Sequence, residues 1–155
     1  MKKTLLSLTV LLLLSCSNED EKRISSNEIV GVWHLTDILE NGKPVAGYSC
    51  NKEFDITEFT DSGQSITKYS DKNSNDVCLQ YTDNGNYSIS EDILTDVQMN
   101  GNIKIYEAKY KIKELTAASL KLEQISGYET DPKGNNPHSI NYVEGEFVKL
   151  YIHKN

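Results

Sequence analysis

Four turn signals punctuate the middle of this chain: Asn41-Gly42, Ser62-Gly63, Asn84-Gly85 and Asn100-Gly101. Asn-Gly suits a two-residue hairpin loop. Both central positions of a type I′ turn need positive φ, which asparagine tolerates and glycine adopts freely. Spread between residues 41 and 101, these signals predict an antiparallel meander. The segments around them alternate as strands do. Tyr106, Ala108, Tyr110 and Ile112 share one face, and Glu107, Lys109, Lys111 and Lys113 share the other. Ile103 and Ile105 fall in the opposite phase, which predicts a bulge near Ile105–Tyr106. Leu120 and Leu122 alternate with Lys121 and Glu123, and Val148, Leu150 and Ile152 alternate with Phe147, Lys149 and Tyr151. Phe54 with Ile56, and Tyr87 with Ile89, repeat the pattern on a smaller scale, and Ile29 to Leu39 reads as the first strand. Helical periodicity is weak; residues 114–119 could form one turn. The reading is an all-β domain of about eight to ten strands. A sheet of that size buries its dry face by closing into a barrel or by folding over into a sandwich.

The N-terminus has a separate logic. Lys2 and Lys3 precede an apolar run from Leu5 to Leu14, the layout of a secretory signal. The run is about half the ~20 apolar residues of a membrane-spanning helix, so removal is expected rather than retention. Leu13-Leu14-Ser15-Cys16 resembles the bacterial lipobox. That resemblance implies cleavage before Cys16, diacylglycerol on its thiol and acylation of the new amine, with chains such as palmitate. Two or more acyl chains hold a protein firmly at ~0.8 kcal/mol per buried CH₂. Ser17-Asn18-Glu19-Asp20-Glu21 resembles the acidic export tag that follows the lipidated cysteine in one Gram-negative phylum rich in gut anaerobes. This implies the outer face of the outer membrane, with the periplasmic leaflet as the alternative. The expected organisation is a signal peptide at 1–15, a lipidated tether at 16–27 and one β-domain at 28–155.

Charge excludes some partners. Without residues 1–15 the chain is 140 residues long, and its formal charge moves from −7 to −9, because Lys2 and Lys3 leave and no acid does. Such a chain is a poor nucleic-acid binder and gains nothing from an anionic membrane surface; its membrane contact would come from the acyl anchor at Cys16. Cys50 and Cys78 remain as a pair in an oxidising compartment, which favours a disulfide over two free thiols. His34, His138 and His153 lie far apart in sequence and read as surface or packing residues, so no metal is expected. Asp71-x-Asn73-x-Asn75 resembles the start of a calcium loop, but Asp76 stands where glycine is needed and Thr82 where glutamate is needed. A polar surface loop is the better reading. No nucleophile elbow, zinc-protease motif or phosphate loop is present, so neither catalytic residues nor a cofactor are expected.

Ile29-Val-Gly-Val-Trp-His-Leu35 is similar to the opening of lipocalin-like domains, which carry Gly-x-Trp in the first strand. Tyr87-Ser-Ile-Ser, the run Tyr110 to Leu122 and the last strand Glu146 to Tyr151 resemble the lipoprotein branch of that group. The resemblance implies an up-and-down β-barrel with Trp33 plugging its closed end. Gly31 would admit a close neighbour there. Lipocalins often stack an arginine from near the end of the last strand on that tryptophan; here Lys149 or Lys154 would have to serve. An eight-stranded barrel is just wide enough to be filled by side chains or to hold one small molecule. The ligand-binding candidates are Trp33, Tyr87, Tyr106, Tyr110 and Tyr151, with residues 127–138 as rim. The same tyrosines would fit a filled core with hydroxyls at the barrel ends. The expected function is surface-anchored binding of a small apolar or amphipathic ligand. The alternative is a filled barrel that meets a protein or glycan partner through loops 70–76 and 127–138.

Overall fold

The computed structural model describes residues 24–153. The signal segment, Cys16, the first part of the tether and Lys154 lie outside the described residues. Ten strands follow one 3₁₀ turn at Ser26–Glu28: β1 Gly31–Glu40, β2 Lys43–Pro44, β3 Ile56–Phe59, β4 Gln64–Lys72, β5 Cys78–Ser90, β6 Ile93–Asn100, β7 Ile103–Leu115, β8 Ser119–Glu129, β9 His138–Asn141 and β10 Phe147–His153. All pairings are antiparallel, and β10 pairs with both β1 and β8. That double pairing closes β1, β3, β4, β5, β6, β7, β8 and β10 into an eight-stranded barrel, with β2 against β1 and β9 against β8 as side strands. The sandwich alternative is not formed.

Turn chemistry explains most connections. Asn41 and Gly42, at φ 51° and 75°, turn β1 into β2; Gly63, at φ 80°, serves the β3–β4 turn, and Gly101, at φ 59°, the β6–β7 turn. Asn84-Gly85 is a correction: it lies inside β5, not at a turn. A Cβ on Gly85 would sit 2.7 Å from Ser65 Oγ and 2.9 Å from both Asp96 Oδ1 and the Val97 carbonyl. The glycine is there for close approach across the barrel wall. The turn itself is at Glu91-Asp92, where a non-glycine residue, Glu91, takes φ 59°. Residues 114–119 form no helical turn either. Thr116 Oγ1 accepts the backbone N–H groups of Ala118 and Ser119 (3.2 and 2.9 Å) and folds β7 directly into β8. The predicted bulge falls at Ile105, which is skipped when Gln98 pairs with Tyr106 and Met99 with Lys104.

The core gathers at the end where β1 begins. Trp33, Ile29, Leu94, Leu120 and Leu122 are fully buried there, with Phe59 and Tyr87 packed edge to face. Trp33 Nε1 donates to the Ile29 carbonyl at 2.7 Å, and the Tyr87 hydroxyl donates to the Thr60 carbonyl at 2.8 Å. The expectation is corrected for Lys149, while Lys154 lies outside the described residues: His153, the last residue of β10, packs edge-on against Trp33 with ring centroids 4.9 Å apart. Lys149 points elsewhere.

β5 changes partner along its length. It pairs with β4 from Cys78 to Asn86 but with β6 only from Asn86 to Ser90. Beyond the Asn86–Val97 pair the two strands share no ladder, which leaves a seam in the wall toward the end opposite Trp33.

Candidate functional site

Above the plug the barrel holds a cavity of about 400 Å³. Leu94, Leu122, Phe59 and Tyr151 form its apolar floor, Tyr106 and Tyr110 stand on one wall, and Ile38, Ile56 and Tyr48 lie toward the mouth. Asp83 on β5 and Gln98 on β6 line it from the two sides of the seam. The interior is wetter than a strictly apolar carrier's, since Lys149, Asp96, Thr57 and Thr67 also face it.

Lys149 comes from the middle of β10. Protein surrounds it, and the accessible surface it keeps faces the cavity. Its ammonium donates to the Tyr110 hydroxyl at 3.1 Å and lies 5.2 Å from the centre of that ring. Tyr110 in turn shares a hydrogen bond with the Tyr106 hydroxyl at 3.3 Å. Burial, first of all, pushes both phenols well above their ordinary pKa, so they stay protonated. Desolvation works against the Lys149 ammonium, but Tyr151, Tyr106 and Asp96 outweigh it and its pKa moves up. On the far wall the Ser65 hydroxyl donates to Asp96 Oδ1 at 2.5 Å. Desolvation pushes the Asp96 carboxyl above its ordinary value of 3.8, and Ser65 and Lys149 offset this only in part.

That direction has a consequence for stability. A carboxyl whose pKa is raised on folding favours the folded state below its unfolded pKa and loses that contribution as pH rises through the folded one. Asparagine mimics the protonated acid and can still accept from Ser65. Asp96→Asn is therefore expected to melt higher than the wild type at pH 7, with the gap closing as pH falls toward 3.8. Thermal unfolding at several pH values checks this; a gap that widens on acidification would reverse the sign.

The mouth is held by covalent and polar ties. Cys50, in the connection between β2 and β3, is disulfide-bonded to Cys78 at the start of β5, with Cα atoms 5.8 Å apart. Beside it Asp55, only 2% exposed, accepts from the Ser70 backbone N–H at 2.9 Å and lies 3.1 Å from its hydroxyl. Ser70 Oγ also accepts the Asn51 N–H at 2.8 Å. Asn73 Oδ1 accepts the N–H groups of Asn75 and Val77 at the tip of the β4–β5 hairpin, so the Asp71-x-Asn73-x-Asn75 pattern serves a turn. Among the described residues no group of three or more His, Cys, Asp or Glu could hold a metal ion. The 127–138 segment divides into the end of β8, a turn and the start of β9. Asn100 Nδ2 ties that turn to the β6–β7 hairpin through the Pro132 carbonyl at 2.8 Å.

Of the ligand candidates read from sequence, Tyr106, Tyr110 and Tyr151 are brought together around the cavity, while Trp33 and Tyr87 sit in the plug beneath it. Lys149, Asp96 and Thr67 were missed. A lysine two residues from Phe147 on one side and Tyr151 on the other was the available signal, because all three share a strand face.

A closed antiparallel barrel, entered through Gly-x-Trp at a plugged end and hollow toward the other, defines a lipocalin-type barrel. The chain belongs to the family of lipocalin-like domains, whose family model matches residues 29–122. Domains of this family commonly bind small hydrophobic ligands. A solved structure of an uncharacterized protein from Bacteroides eggerthii is similar at 13% identity and a TM-score of 0.47, over 81% of this chain and 99% of that one. No curated protein matches the chain.

Proposed function

We propose that this protein is a lipid-anchored binding barrel that holds a small amphipathic molecule in its cavity and performs no catalysis. The observation that carries the reading is the cavity of about 400 Å³ lined by Tyr106, Tyr110 and Tyr151. Small-molecule sites are concave and mostly apolar, with a few placed polar groups, and this one fits that description with extra polarity. The lipobox-like Leu13-Leu14-Ser15-Cys16 and the acids after it support an anchor at Cys16 and display at the cell surface. The retained chain would then concentrate its ligand at the membrane without entering it.

Native mass spectrometry of the full lipoprotein, extracted from its own cells, tests both halves. The expected spectrum shows acyl mass retained on Cys16 after denaturation and a second, non-covalent mass that denaturation removes. Thr67→Trp fills the cavity from β4, and it is expected to lose at least about tenfold in ligand occupancy while the barrel still unfolds cooperatively. An occupancy unchanged by Thr67→Trp would place the ligand outside the barrel. A spectrum with no removable mass would favour a macromolecular partner.

A further inference from the structure

A second, smaller cavity of about 150 Å³ lies where β8 changes partner. That strand pairs with β10 from Ser119 to Glu123 and with β9 from Ser126 to Glu129. Gln124 stands at the change-over and belongs to neither of these two ladders. It is only 7% exposed. Among the described residues its side-chain amide has no hydrogen-bond partner, and the little surface it keeps opens into this cavity. Gly127 makes room for it, since a Cβ there would sit 3.2 Å from Gln124 Nε2. A nearly buried amide with nothing to bond costs the fold stability. Leucine would fill the same place without that cost.

We infer that this cavity is a sugar subsite that takes one pyranose ring on Gln124. Its lining selects the chemistry. Tyr106, Tyr128 and Tyr142 give it aromatic sides, and Glu129 and His138, both exposed, stand at its edge. Lys104 lies over the Tyr128 ring at 4.7 Å, and Tyr142 leans on Phe147 with ring centroids 5.8 Å apart, so both rings are held in place. No lysine or arginine lines the cavity and Glu129 does, which disfavours an anion. An ammonium would leave the Gln124 N–H groups unmatched, and an apolar ligand would leave the whole amide so. A hydroxyl both donates and accepts, so it satisfies amide, carboxylate and imidazole alike. The C–H face of the sugar ring would lie on the aromatic sides. This site goes beyond the reading above and shares only Tyr106 and Glu129 with the larger cavity.

The test is saturation-transfer NMR on the full chain held in phospholipid nanodiscs, with empty discs as the blank. The probes are the methyl pyranosides of glucose, galactose, mannose and N-acetylglucosamine, with cyclohexanol as a ring of similar size bearing one hydroxyl. At least one glycoside is expected to bind at least about tenfold tighter than cyclohexanol. Gln124→Leu is expected to weaken that binding at least about tenfold and to raise the melting temperature, because it removes an unbonded amide. Gly127→Ala crowds the amide without removing it and is expected to weaken binding too. For the sugar that binds, its trisaccharide separates two sources, and either upholds the subsite: affinity kept marks the end of a glycan, affinity lost a free monosaccharide. Failure of all four glycosides to bind, or binding that survives Gln124→Leu, would overturn the subsite. A Gln124→Leu protein that melts lower or does not fold would show the amide in use by the fold and overturn it as well. Thr67→Trp blocks the larger cavity, so glycoside binding lost with it would place the sugar there instead. None of these failures touches the ligand mass sought in that larger cavity.

Discussion

Trp33→Ala is expected to lower the unfolding free energy by about 3–5 kcal/mol, the range for removing a large buried aromatic ring. Trp33 is 1% exposed and sits where the barrel end must be sealed. Its removal opens a void lined by Ile29, Phe59, Leu120 and His153, and the strands of a closed barrel cannot move inward to fill it. A second loss comes from the indole N–H, which satisfies the Ile29 carbonyl at 2.7 Å. Trp33→Phe separates the two: it keeps most of the packing and orphans that carbonyl, with an expected loss of about 1–3 kcal/mol. Urea unfolding of both variants checks the order. A loss below about 1 kcal/mol for the alanine variant would mean that the plug lies elsewhere. Because Trp33 does not line the cavity, ligand affinity of the folded fraction should be unchanged in either variant.

Gly31 belongs to the same construction. Its φ of 143° lies where L side chains rarely go, and a Cβ there would come within 2.5 Å of His153 Nε2. The glycine makes room for the imidazole that packs on Trp33. Gly-x-Trp is thus a geometric unit of first strand, ring and last strand, which is why so short a motif could point to the barrel.

Much of the fold was legible because a barrel wall with one wet face imposes period-2 alternation. The Tyr106–Ile112 face and the bulge at Ile105 followed from it directly. The polar half of the site was not legible, for a physical reason. In β10, Lys149 and Tyr151 line the cavity, while the more uniformly apolar set contains Ile152, which is 52% exposed. A hollow barrel relaxes the rule that the apolar face is the inner one, because its interior meets water or ligand. Alternation then gives the phase but not the side. Asn84-Gly85 misled for a related reason: glycine signals either positive φ or close approach, and only the neighbouring Ser65 and Asp96 decide which. Glu91 carried no signal, since nothing marks a glutamate for the left-handed region.

Removing the disulfide with Cys50→Ser and Cys78→Ser is expected to cost about 3–4 kcal/mol, as the chain-entropy relation gives for cysteines 28 residues apart. The loss should be uneven. The connection from β2 to β3 has no ladder of its own between Val45 and Asp55. It is held by the disulfide, by the Tyr48 hydroxyl on the Thr36 carbonyl at 2.7 Å, and by Ser70 with Asp55. Ser70 Oγ has one proton to give and three acceptors in reach: Asp55 Oδ1, the Asn51 carbonyl and Ser49 Oγ, at 3.1, 3.1 and 2.9 Å. That network therefore orders the loop only while something else keeps the three together. Hydrogen exchange should show amides of residues 45–55 and 73–80 losing protection in the cysteine-free protein, while β7 and β8 keep theirs. Tyr48, Asp55 and Ile56 line the cavity, so ligand affinity should fall with the loop even where the barrel stays folded. If protection at 45–55 were unchanged, the Asp55–Ser70 network would be sufficient to hold the mouth. The disulfide would then act on the unfolded chain alone.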